Sequence, residues 1–411
     1  MNREEFVHVS RKIDDYKDEV VRIQKRLVSF KAMGPESGGD GELEKAGYVK
    51  ELLDQIGFDE MKECNAPDER ISSKVRPNIL AKIFGQNQDA TIWVMAHLDV
   101  VPAGDLKLWN SDPFSLVVDG DTLIGRGVED NNQGFVSAFL ALKALKEAGI
   151  TPTHNVGLAL VADEETGSKY GLDYVMQNCR DEFKSDDLII VPDAGDPKGE
   201  TIEVAEKSIL WLKFHTKGKQ CHASTPEQGV NAHRAAAHLI VKLDQLHEIF
   251  NARDDVFDPP ISTFEPTKKE SNVPNVNTIP GEDVFYLDCR ILPQYPLEEV
   301  EAKIRGMADE IEKQFGVDIV ISSPQRAEAA PPTANDAAVV LALKNAIREV
   351  KGLEAKTIGI GGGTVAAIFR EAGFPAAVWG TIKDTAHQPN EFALISNTLS
   401  DAKVLAHVFM Q

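Results

Sequence analysis

The 411 residues carry 44 lysines and arginines against 65 aspartates and glutamates, a net charge of −21, and 42% of them are hydrophobic. That negative surplus repels phosphate backbones and anionic lipid headgroups, so nucleic acid and membrane surfaces are set aside and a small molecule or short peptide is the expected partner. The length suits two or three domains, each able to bury a core.

Helical periodicity runs through residues 4–30, a stretch densely charged where a signal peptide would be apolar, and no apolar run approaches the roughly 18 residues that span a bilayer. A cytoplasmic chain is expected. Cys64, Cys179, Cys221 and Cys289 are far apart and form no C-x-x-C pair, which predicts reduced thiols. A second helix is predicted over 43–56, where Leu43, Ala46, Val49, Leu52, Leu53 and Ile56 share a face. Apolar runs at 78–83, 91–96, 156–161 and 188–191 read as buried strands, with a helix at 134–148 among them. Buried strands alternating with helices predict an α/β layer on a parallel or mixed sheet.

The pattern changes near Lys207. Residues 208–216 alternate like a strand, 231–250 are helical, 275–279 and 283–291 read as a strand pair turned by Pro280 and Gly281, 297–315 are helical and 317–322 are again strand-like. This β-α-β-β-α-β order predicts a ferredoxin-like α+β domain inserted at 207–323. The Pro- and Ala-rich stretch 323–332 reads as a linker back to an α/β body formed by 1–206 and 324–411. A helix over 334–350, an apolar run at 376–379 and a helix from 394 complete that body.

Several polar side chains sit just beyond the apolar runs: His97 and Asp99 after the second, Glu164 and Glu165 after the third, Asp193 after the fourth and His387 after the last, with Asp130 just ahead of a helix. Open α/β sheets bind ligands outside the carboxyl ends of their strands, so these groups are expected to converge. Two histidines with a carboxylate surplus and no cysteine suit zinc, and also manganese or cobalt. Two adjacent divalent ions need an anionic bridge between them, a part that Asp130 can fill. Singly, each element has an ordinary reading: a surface His-Asp pair, a solvated acidic helix start or, for GIGGGT, a flexible turn.

The ordered motifs HLDVVPAG, GRGVEDNNQG, ADEETGS, a strand-terminal Asp, GKQCHASTPEQGVNA, DCR, GGGT and AHQPNE resemble those of the M20 metallopeptidases, from about Leu27 to the C-terminus. That group holds carboxypeptidase G, succinyl-diaminopimelate desuccinylase, acetylornithine deacetylase, aminoacylase and several dipeptidases. The resemblance implies a zinc-exopeptidase-like α/β catalytic domain with the insert as lid and dimerisation domain, a homodimer, and two Zn²⁺ per subunit that Co²⁺ or Mn²⁺ can replace. It further implies that His97 and Asp193 hold one ion, Glu165 and His387 the other, Asp130 bridges them, Asp99 orients His97, and Glu164 is the general base.

In the insert, His222 matches the histidine that steadies the tetrahedral oxyanion, reaching the partner subunit's site in dimers, and Arg290 matches the arginine that pairs with a substrate carboxylate. Asn277, Gly362, Gly363 and Thr364 are expected to complete the substrate pocket. The implied reaction cleaves a peptide or N-acyl amide bond beside a free carboxylate, with a dedicated N-acyl amino-acid deacylase as the alternative. A silent ligand-binding member and nucleotide binding through GIGGGT rank below both. Two departures bear on the pocket: Asn131, Asn132 and Gln133 stand where many members have Asp-Lys-Gly continuing after the bridging Asp, and Val365 follows Gly-Gly-Thr where many have Asp.

Overall fold

The computed structural model describes residues 2–411, which divide into two compact units. One comprises the chain up to Val204 with Thr333–Thr357 and Val365–Gln411; the other comprises Ala205–Pro332 with Ile358–Thr364. The insert is therefore larger than 207–323. Its extra segment is tied in by hydrogen bonds: the N–H of Lys207 donates to the carbonyl of Ile360 at 3.0 Å, and the N–H and hydroxyl of Thr364 donate to Glu206 at 2.9 and 2.6 Å.

An eight-stranded mixed sheet runs in the order Glu60–Glu63, Ile79–Ile83, His154–Val161, Asn87–His97, Leu188–Val191, Ala376–Val378, Thr201–Glu206 and Lys356–Ile360. The neighbours His154–Val161, Asn87–His97, Leu188–Val191 and Ala376–Val378 are mutually parallel, so their carboxyl ends share one edge. These strands are almost wholly buried, which is why they read as continuous apolar runs. Gly157 pairs with Trp93 across the parallel ladder, and a Cβ at Gly157 would meet the indole at 2.2 Å; glycine is what lets the ring lie on the sheet. Helix Asn132–Ala148 is buried nearly all round, packed against Ile395–Phe409 and Arg3–Asp14.

The single N-terminal helix expected over 4–30 is two helices, Arg3–Asp14 and Lys17–Val28. The N–H groups of Asp15 and Tyr16 turn back to carbonyls three residues earlier, and the phenol of Tyr16 is drawn to Glu147 at 2.7 Å. The expectation of reduced thiols is corrected for one pair: Cys64 and Cys179 form a disulfide, their Cα atoms 6.5 Å apart although 115 residues separate them in the chain. Only the fold creates that proximity, and it withdraws the cysteine argument for a cytoplasmic chain. Cys221 and Cys289 are free.

The second unit is a four-stranded antiparallel sheet in the order Thr263–Lys269, Glu282–Ile291, Ser208–Lys217 and Asp318–Ala327. Helices Ala232–Leu243 and Leu297–Phe315 cover one face, over a core that includes Leu210, Leu239, Ile304 and the stacked rings of Phe214 and Phe285, 4.6 Å apart. The β-α-β-β-α-β order holds, but the strand pair read from sequence does not. Thr278–Ile279 pairs with Cys221–His222, and Glu282–Ile291 lies between Ser208–Lys217 and Thr263–Lys269. That strand buries only Phe264, so it carries no alternating signal. The supposed linker at 323–332 begins as strand, because Asp318–Ala327 lies at the sheet edge, where Pro324 is tolerated.

Candidate metal centre

Strand Asn87–His97 delivers His97 to the carboxyl edge of the sheet, 3% exposed. Its Nδ1 lies 3.1 Å from the carbonyl of Asp99, which can only accept, so Nδ1 carries a proton and Nε2 is the nitrogen that faces the cluster. Nε2 lies 2.7 Å from Asp130 Oδ1 and 3.3 Å from Asp193 Oδ1. The carboxylate of Asp99 is 3.6 Å from Nδ1 and accepts the N–H groups of Glu164 and Glu165 at 3.1 and 3.0 Å, which fixes the turn that presents both glutamates.

Across the cluster, His387 Nε2 is 3.0 Å from Asp130 Oδ2 and 3.0 Å from Glu165 Oε2. One carboxylate thus spans two imidazoles, one on each oxygen. Ligand atoms of His97, Asp130 and Glu165, and those of His97, Glu164 and Asp193, each fall within 4.8 Å of one another. Backbone strain marks the same place: Asp163 and His387 hold φ of 62° and 63°, left-handed values that side chains tolerate only when their surroundings enforce them.

Electrostatics show what the cluster lacks. Burial opposes a charge on His97, yet Asp130 and Asp193 hold its pKa well above the usual histidine range. His387 is pushed up to about 10 by Asp130 and Glu165. Glu164 lies well above the ordinary carboxylate range because it is buried and faces Asp193. The carboxylates draw protons onto both imidazoles because they need positive charge among them. Divalent cations supply that charge and displace such protons, so the donor set fits metal on its own chemistry.

Residues that sequence reasoning did not single out hold the ligands in place. Glu391, fully buried, accepts Arg126 Nη1 at 2.7 Å and the N–H groups of Gly127, Glu129 and Asp130 at 3.0 to 3.1 Å. Glu129 accepts the N–H groups of Lys383 and Thr385 at 2.5 and 2.6 Å, steadying the loop that ends in His387. Asn131, one of the departures noted above, donates to Asp193 Oδ1 and the carbonyl of Pro192. Both glutamates lie inside quoted motifs, yet a motif does not separate an acid that meets a ligand from one that braces the backbone. Lys45 is fully buried near Asp99 and Asp130, its Nζ unpartnered and its pKa pushed down to about 8 by that burial.

The remaining predicted residues belong to the second unit and do not form one group. Arg290 donates through Nε and Nη2 to Asp288 at 2.7 and 3.1 Å, and through Nη1 to the carbonyl of Gly361 at 2.8 Å, beside Gly362, Gly363 and Thr364. His222 and Asn277 lie in a different loop pair, where the carbonyl of Asn277 accepts the N–H of Ala223 at 2.9 Å and its side chain is engaged by Asn275.

The model of peptidase family M20/M25/M40 matches residues 93–411. This chain belongs to that family. The M20 chain is 44% identical over 407 residues to an uncharacterized metallohydrolase of Methanococcus maripaludis, covering 94% of this chain and 97% of the relative. It is 26% identical over 378 residues to a succinyl-diaminopimelate desuccinylase of Nitratiruptor sp., covering 91% and 94%. Among solved structures, human carnosine dipeptidase 1 superposes with a TM-score of 0.73 at 19% identity, covering 98% of each chain, which shows a shared fold. As an M20 member the chain is a metal-dependent hydrolase, and among the described residues no helix is long and apolar enough to cross a membrane.

Proposed function

We propose that this M20 hydrolase binds two Zn²⁺ per subunit, replaceable by Co²⁺ or Mn²⁺, and cleaves a peptide or N-acyl amide bond beside a free carboxylate. The observation that carries this reading is Asp130, whose two oxygens face two histidines that share no other carboxylate at this range. His97 and Asp193 would hold one ion, Glu165 and His387 the other, and Asp130 both. When bound, such ions polarise the scissile carbonyl and acidify water.

Glu164 supplies the proton traffic. Its burial beside Asp193 favours the protonated acid, so the carboxylate readily takes a proton from the attacking water as that oxygen bonds the carbonyl carbon. The same proton then goes to the amide nitrogen as the C–N bond breaks, releasing an amine and a carboxylic acid. Glu165 sits next to Glu164 yet turns to His387, so adjacent residues serve different tasks. Arg290, held flat between Asp288 and Gly361, presents a guanidinium plane suited to the substrate carboxylate. The proposal includes a homodimer formed through the inserted unit, on the strength of the motif containing His222.

The desuccinylase relative favours a second reading, a dedicated deacylase. One panel separates them: dipeptides, their C-terminal amides, and N-acetyl and N-succinyl amino acids, assayed with the zinc-loaded full chain. Hydrolysis of free dipeptides with amides slower by about 10²-fold, the loss of a charge-assisted pair, is the predicted result. Cleavage confined to N-acyl amino acids establishes the second reading, and equal cleavage of amides and free acids overturns carboxylate recognition.

A further inference from the structure

The loop bearing His222 is braced on both sides. Cys221–His222 pairs antiparallel with Thr278–Ile279, the N–H of Ala223 donates to the carbonyl of Asn277, and the N–H and hydroxyl of Thr225 return to the carbonyl of His222 at 3.1 and 3.3 Å. Gly229 folds back so closely that a Cβ there would meet Cys221 Sγ at 2.5 Å. Backbone geometry around the imidazole is thereby set.

Its side chain is set by one residue. The N–H of Ser224 reaches His222 Nδ1 at 3.1 Å, and the Ser224 hydroxyl lies 2.7 Å from the same nitrogen. A main-chain N–H can only donate, so Nδ1 must present its lone pair, and the proton of the neutral ring then resides on Nε2. A proton on Nδ1 would oppose N–H to N–H.

We propose that Ser224 is a positioning residue that locks His222 into the Nε2–H tautomer, the form that carries a ready hydrogen-bond donor for the oxyanion role its motif implies. The tautomer follows from the loop alone; its use in catalysis rests on the function proposed above. The lock differs from bulk solvation of an exposed histidine because water can serve either nitrogen, whereas this backbone serves one.

The test combines spectroscopy with kinetics on the full chain. Long-range ¹⁵N–¹H spectra of ¹⁵N-histidine-labelled protein, with His222 assigned by its loss in His222→Gln, should show Nε2–H alone. Ser224→Ala should raise the Nδ1–H fraction about fivefold and lower kcat about fivefold with KM little changed, the effect of one lost hydrogen bond, and Ser224→Thr should restore both. An Nδ1–H ring in the parent chain overturns the lock, and an unmoved tautomer in Ser224→Ala, which keeps the main-chain N–H and loses only the hydroxyl, overturns the part given to the serine side chain. A tautomer that shifts while kcat stays constant in both Ser224→Ala and His222→Gln supports the lock and overturns the oxyanion role.

Discussion

Glu164→Gln is expected to lower kcat by about 10³-fold while metal content and the unfolding midpoint stay at the values of the parent chain. Gln keeps the shape and the turn, since the N–H of residue 164 still reaches Asp99, but its amide cannot take a proton from water. The assignment is sharp because Glu164 also lies within ligand distance of His97 and Asp193. Were it a ligand and Glu165 the base, Glu164→Gln would shed metal, and Glu165→Gln would keep metal while losing turnover. Equilibrium dialysis of zinc beside steady-state kinetics for both variants separates the two assignments.

Glu391→Ala is expected to destabilise the fold by about 3–5 kcal/mol, read as a lower midpoint in denaturant unfolding. The change leaves Arg126, 2% exposed, without its carboxylate and orphans three N–H groups of the turn that carries Asp130. Burying an unpaired guanidinium is costly, and four hydrogen bonds go with the carboxylate. Glu391→Gln, which keeps the acceptor oxygen, should lose less. A Glu391→Ala chain that unfolds at the parent midpoint would show that the turn is held by other contacts.

Much of this arrangement was legible in the chain. Strands such as Leu188–Val191 and helix Leu297–Phe315 announce themselves because their periodicity reports burial directly. The seven polar groups at 97, 99, 130, 164, 165, 193 and 387 do come together, since parallel strands must place their carboxyl ends on one edge. What stayed hidden depends on long-range geometry. Thr263–Lys269 presents one core residue, so no local period marks it. Cys64 and Cys179 meet because the strand Glu60–Glu63 and helix Leu172–Asn178 end together, a fact of topology. Ile358–Thr364 groups with the insert through hydrogen bonds to Glu206 and Lys207 that no pattern foretells. Likewise Glu129 and Glu391 look like further candidate ligands until their oxygens are seen to be filled by backbone N–H groups.

Anomalous diffraction at the zinc edge from crystals of the metal-loaded chain tests the central claim most directly. Two peaks are predicted in one cluster, one touched by His97 and Asp193, the other by Glu165 and His387, with Asp130 between them. A single peak, or peaks away from Asp130, would contradict it.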